Sequence, residues 1–263
     1  LVQRARSYTL SFTPRTLTDA TPLLNQAIEL DFEYAAAHAA LASVLAEQVL
    51  NGLSEKPESD RQIALESAAH ASAITPLDPF VLKMCGAAWA YFGKPQRSLD
   101  ALRQAVELAP FDFGAWGFMG WPLAATGAPG DLEELQRIMD WILEAVPDHP
   151  GSPYWMYHLS VALTCEGEID PAIEYGRKST SRNPRFPWVW MQYANALGMK
   201  GDREAALEAI DRCRDISPGL TPEYYRAMLL EMCSGEQLAL PRFAGLERLG
   251  ILENQQAEDS TAD

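Results

Sequence analysis

The stretch from Pro76 to Pro110, PLDPFVLKMCGAAWAYFGKPQRSLDALRQAVELAP, decides the fold. Two helical segments flank Gly93, and the stretch closes on an apolar residue, a spacer and a proline: Leu108, Ala109, Pro110. Glycine readily takes the left-handed conformation that ends a helix, and proline cannot continue one. The same ending recurs at Ile74-Thr75-Pro76 and Ile216-Ser217-Pro218, and with a polar first residue at Arg182-Asn183-Pro184. Pro76 to Pro110 is 34 residues and so is Pro184 to Pro218, while Pro110 to Pro147 and Pro147 to Pro184 are each 37. A period of this length marks a solenoid of helix pairs, each burying its apolar face on the next.

The residues inside the period repeat too. The third unit has Leu82, Cys85, Gly86 and Trp89, then Gly93, Ser98, Leu102, Ala105, Leu108 and Pro110. The fourth has Trp116, Met119, Gly120, Leu123 and Gly127. The sixth has Trp190, Tyr193, Ala194, Leu197, Gly201, Ala206, Ile210, Cys213, Ile216 and Pro218. Small residues (Gly86, Ser98, Gly120, Ala194, Ala206) let two helices approach, and large ones fill the space beside them. Asp131, Glu168, Asp170 and Asp202 suit the positive ends of second helices. This pattern resembles the tetratricopeptide repeat. The resemblance implies an all-α, right-handed superhelical solenoid of antiparallel pairs, with about fourteen helices. It places one solenoid over residues 1–252, six pairs plus a capping pair. Residues 253–263, polar and acidic, are expected to be a disordered tail.

Departures from the pattern are local. The first unit is incomplete: Leu1 to Tyr8 reads as the rest of a first helix and Leu17 to Leu30 as its partner, with Phe32 where proline is expected. The second unit has His38 and Ala42 in register, but its partner helix arrives ten residues late, after a loop near Asn51 to Asp60. Extra residues also fall near Ala128-Pro129-Gly130 and from Asp148 to Pro153. The last unit opens at Thr221-Pro222 and ends in a degraded helix, about Leu240 to Leu249.

Composition narrows function. The chain has 263 residues, 48% of them hydrophobic, and a formal charge of −15 from 36 acids against 21 bases. An acidic chain repels phosphate, so no nucleic acid is expected as partner. No run of eighteen apolar residues exists, so no membrane insertion is expected, and the most hydrophobic stretch, Phe80 to Gly93, is broken by Lys83. Cys85, Cys165, Cys213 and Cys233 form no close pair and read as free thiols in a reducing, cytoplasmic setting. The start at Leu1 reads as a cut through a longer protein or a processed product.

No catalytic constellation stands out. Gly114, Gly117 and Gly120 are spaced for packing along a helix, not for cradling phosphate. His149, His158 and Asp148 read as loop and core residues rather than metal ligands, as do His38 and His70. There is no G-x-S-x-G turn, and Asp19, Glu133 and Glu134 lie at helix starts. The expectation is a non-enzymatic protein with no cofactor and no metal.

Surface remains. In the tetratricopeptide family, set positions of each first helix face a concave groove. The resemblance puts Phe80, Lys83, Tyr91, Trp121, Tyr154, Tyr157, Trp188, Met191, Asn195 and Tyr225 there, together with Leu229 and Met232. It implies an aromatic, nearly uncharged groove that binds a protein or peptide through an apolar segment, the alternative being that the chain's own superhelix or an inserted segment covers these residues. The clamp for acidic tails known in this family is broken, because Ala87 and Met191 replace the Asn and Lys it needs. Finally, Leu1 to Arg6, Thr13-Pro14, Ala27 to Asp31, Tyr34-Ala35 and Phe243 to Leu246 resemble the repeat half of bacterial winged-helix regulators and class III adenylate cyclases. That resemblance implies an alternative: a regulatory or sensor module that contacts its own effector domain or self-associates as a homo-oligomer.

Overall fold

The computed structural model describes residues 1–3, 14–233 and 235–252. Most of the first helix of unit one and the acidic tail lie outside the described residues. Every regular element described is helical. Unit one contributes α1 (Pro14–Leu30). Unit two is α2 (Ala35–Leu50) with α3 (Pro57–Ile74), and unit three is α4 (Pro79–Tyr91) with α5 (Pro95–Leu108). Unit four is α6 (Phe113–Phe118) and α7 (Gly120–Thr126) with α8 (Asp131–Ala145). Unit five is α9 (Ser152–Glu166) with α10 (Ile169–Arg182), and unit six is α11 (Pro187–Lys200) with α12 (Arg203–Ile216). The last unit is α13 (Pro222–Met232), then α14 (Glu236–Ala239), a 3₁₀ turn (Leu240–Arg242) and α15 (Ala244–Arg248).

Local chemistry sets these ends. Asp78, Asp112, Asp202 and Thr221 accept backbone N–H bonds at the starts of α4, α6, α12 and α13. Gly93, Gly127, Gly167 and Gly201 close first helices at φ of +65° to +88°, the left-handed geometry that an L side chain resists. Equivalent residues do equivalent work. Trp116 Nε1 donates to the Pro110 carbonyl and Trp190 Nε1 to the Pro184 carbonyl, each at 3.0 Å. Ser98 Oγ of the second helix in unit three donates to the Gly86 carbonyl of the first (2.7 Å). In unit five the hydroxyl has changed sides: Ser160 Oγ of the first helix donates to the Ala172 carbonyl of the second (2.9 Å).

Two irregularities matter. The loop of unit two is shorter than its sequence suggests, since α2 runs to Leu50 and α3 starts at Pro57, so much of the insertion lengthens helices. The first helix of unit four breaks at Met119 into α6 and α7. Pro122 removes one N–H there, and a helix with a missing donor breaks readily. Opposite the break, Trp155 and His158 press on glycines: a Cβ on Gly117 would lie 1.8 Å from Trp155 Nε1, and one on Gly120 would lie 2.1 Å from His158 Nδ1.

The solenoid closes on itself. Ser217 Oγ donates to the Asn51 carbonyl at 2.6 Å, and Tyr224 OH donates to the Val49 carbonyl. Arg61 pairs with Glu231, and Gly52 lies against Gly219 with no room for a Cβ on either. The last unit thus packs on the second. First helices form the inner layer and second helices the outer one.

Candidate functional site: the inner face

The inner face is built from α2, α4, α7, α9, α11 and α13. The sequence-derived residues converge on it, but they do not line an open groove. Tyr91, Trp121, Tyr154, Tyr157, Trp188, Met191, Asn195 and Tyr225 are all buried. This corrects the expectation of exposed rings, and the cause is the closure: inner helices that would face solvent in an open superhelix face one another. Phe80 alone is half-buried. Lys83 is buried like the rest and pairs with Asp112 at 2.5 Å, which itself caps α6, so Lys83 has a structural partner.

The rings form a chain across the interior. Tyr91 OH meets Tyr154 OH. Tyr154 stacks on Tyr157 with centroids 6.0 Å apart. Trp188 Nε1 donates to Tyr157 OH, and the Trp188 ring meets that of Tyr225 edge-on at 4.8 Å. Tyr225 OH donates to Gln192 Oε1 at 3.2 Å. Burial, before any neighbour, holds the Tyr91, Tyr154 and Tyr157 hydroxyls well above the usual phenol range, so they stay protonated.

Two charged residues in this interior were missed by sequence reasoning. Glu47, on α2, is buried, and desolvation raises its pKa from 4.5 to about 7, while hydrogen bonds from Tyr91 and Asn51 pull it back. Its signal was present as the only acidic residue in the mostly apolar run Ala35 to Leu50. Arg242, in the closing 3₁₀ turn, is also buried, with its guanidinium 5.7 Å from the Trp121 ring centroid and a hydrogen bond to the Ala124 carbonyl. His158 is fully buried, and desolvation lowers its pKa from 6.5 to about 3, so it is neutral.

Part of the inner face is covered by the chain's own C-terminal segment. Asn195 Nδ2 donates to the Pro241 carbonyl (3.1 Å), and Asn195 Oδ1 accepts from the Gly245 N–H (2.8 Å). Gly198 packs on Gly245, Leu238 lies against Gly127, and Arg248 donates to the Met199 carbonyl at 2.9 Å. The expected degraded helix is therefore three short pieces laid along α7, α9 and α11. Among the described residues, no group of three His, Cys, Asp or Glu is placed to hold a metal, and no helix is long and apolar enough to cross a membrane. The four cysteines are free, and burial pushes Cys85 up to about 11 and Cys213 up to about 12.

Solved structures share this architecture. A tetratricopeptide repeat protein of Parabacteroides merdae aligns over 99% of this chain and 94% of its own, at 15% identity and a TM-score of 0.51. The fold is a tetratricopeptide solenoid. A tetratricopeptide protein of Thermus thermophilus aligns over 70% of this chain and 99% of its own, at 16% identity and a TM-score of 0.53. The APC/C hetero-tetramer Cut9–Hcn1 contains a chain that aligns over 97% of this one and 53% of its own, at 13% identity and a TM-score of 0.56. No protein-family model and no curated protein matches the sequence. Within the tetratricopeptide frame, Asn195 and Trp121 sit at inner-face positions of α11 and α7.

Proposed function

We propose that this tetratricopeptide solenoid is a non-enzymatic interaction module that holds a polypeptide segment on its aromatic inner face. One observation carries the reading. Asn195 grips main chain with both ends of its carboxamide, at Pro241 and Gly245, as a receptor grips a peptide. Main-chain bonds supply affinity without dictating sequence, and the buried rings supply contact area. Four free thiols suit a reducing, cytoplasmic place of work. The test is capture on the immobilised full chain followed by cross-linking and mass spectrometry. Cross-links within α7, α9 and α11, persisting at high salt, are expected. Cross-links confined to the outer helices would overturn the inner-face assignment.

A second reading has its own observation. Phe32, Leu77 and Phe111 stand at the turns joining successive pairs and are 63%, 63% and 86% exposed. The corresponding turns further along carry Asp148 and Arg185. An apolar edge limited to the first units suits a regulatory module docked on another domain of its own polypeptide or on a second copy. Cross-links at these turns, and none inside, would favour it.

A further inference from the structure

Arg242 is in an unusual position. It is 2% exposed, and among the described residues no carboxylate pairs with it. Its Nε has no hydrogen-bond partner. What receives it is an aromatic face, Trp121, a carbonyl oxygen, that of Ala124, and the side chain of Cys165. A buried cation is costly unless its seat is made for it. The neighbouring Phe243 ring is buried as well, with the Arg226 guanidinium 6.0 Å from its centroid. The helical pieces that carry these residues span Glu236–Ala239, Leu240–Arg242 and Ala244–Arg248. Pieces this short do not persist alone in water. The segment owes its shape to the surface it lies on, as a bound peptide does.

We propose that residues 236–249 are an internal ligand of the inner face. The surface they cover takes, from a partner protein, an apolar segment with an arginine followed by an aromatic residue, which displaces the chain's own. This rests on the reading that the inner face holds polypeptide, and adds what it holds and why it is closed. Charge selects a partner over a second copy of this chain. Two copies each carrying −15 repel, whereas a partner that brings the arginine on a less acidic chain does not. The tether makes the internal copy a strong competitor, because its effective concentration is high. Weakening its anchor therefore frees the site for an external segment of the same chemistry.

The experiment uses the full chain and two fluorescent peptides: one with the sequence of residues 236–252, one with alanine in place of its arginine. With the wild-type chain, both bind weakly. With Arg242→Ala, the arginine peptide binds at least about tenfold tighter than to wild type, because the competent state is more populated. The alanine peptide shows no such gain. Equal binding of the two peptides to a folded Arg242→Ala chain overturns the proposal, and so does no gain over wild type. If the variant does not fold, hydrogen exchange on the wild type decides. Amides of residues 236–249 exchanging well before those of α9 and α11 support displacement, while exchange only with global unfolding overturns it. Concentration-dependent dimers of Arg242→Ala that block the peptide would assign the site to a second copy and also overturn it. A captured partner that the arginine peptide fails to compete would sink this proposal while leaving the interaction reading intact.

Discussion

Helix α12 buries Ala206, Ala209, Ile210 and Cys213 along one stripe, whereas α2 buries every residue except Ala36. Both belong to one repeat pattern, yet they lie in different environments. The outer helix is amphipathic because one face meets water. The inner helix is buried all round, and mostly apolar, because the ring has closed and no face does. A helix apolar on all sides belongs in a core. So the inner layer of this solenoid is the centre of one large core, and its aromatic residues support the fold before they can serve a partner.

The largest expected effect tests that division. Trp188→Ala should cost roughly 3–5 kcal/mol, the range for deleting a fully buried large ring. Trp141 lies on outer helix α8 and is 45% exposed, so Trp141→Ala should cost no more than about 1 kcal/mol. Chemical denaturation of the two variants measures both. Equal costs would mean that the inner layer is not the core.

Glycines sharpen the same contrast. Gly120→Leu places its side chain on the buried His158 ring and should cost about 3 kcal/mol or more. Gly201 also precedes an outer helix, but a Cβ there meets nothing within 4 Å. Only its φ of +88° resists substitution, so Gly201→Ala should cost about 1–2 kcal/mol. A melting temperature unchanged by Gly120→Leu would contradict the register.

How much of this was legible follows from what each feature depends on. The proline period, the left-handed glycines and the Trp116/Trp190 equivalence are local or nearest-neighbour features, and repeats write those directly into sequence. Closure depends on the small rotation between units summed around the ring, which no single unit encodes. The burial of Tyr91, Tyr157 and Trp188 was for that reason only an alternative to a free groove, although the mostly apolar runs Ala35 to Leu50 and Pro153 to Thr164 were a usable sign. The break in the first helix of unit four was signalled by Pro122, a residue the repeat pattern does not provide for.

A pH series probes the interior charge. The folded pKa of Glu47, about 7, lies above its ordinary 4.5, so folding favours its protonated form. The stability it contributes is present in full below about pH 4.5 and is lost as pH rises through 7. Glu47→Gln should remove that loss. Its unfolding free energy should gain on wild type between those values and then run parallel, with a plateau of about 3 kcal/mol. His158 acts in the opposite sense, since its pKa is depressed to about 3 and stability falls as pH drops below 6.5. A Glu47→Gln advantage that is flat with pH would place the carboxylate in water rather than inside the ring.

The smallest effects lie at the closure, where they distinguish two ways of holding it shut. Arg61 and Glu231 are partly exposed, at 29% and 37% of their side chains. Such pairs contribute at most about 1 kcal/mol, because water screens the attraction and two long side chains must be held still. Ser217 is fully buried, and its hydroxyl satisfies the Asn51 carbonyl across the seam. Ser217→Ala leaves that acceptor without its donor inside the protein, at a cost of about 1–3 kcal/mol. Arg61→Gln should therefore perturb the melting temperature less than Ser217→Ala, and added salt should change the wild-type value little. The reverse order, with a steep salt dependence, would mean that charge closes the ring. The two layers would then differ less than their burial implies, because an ionic latch at the surface would be controlling access to the core.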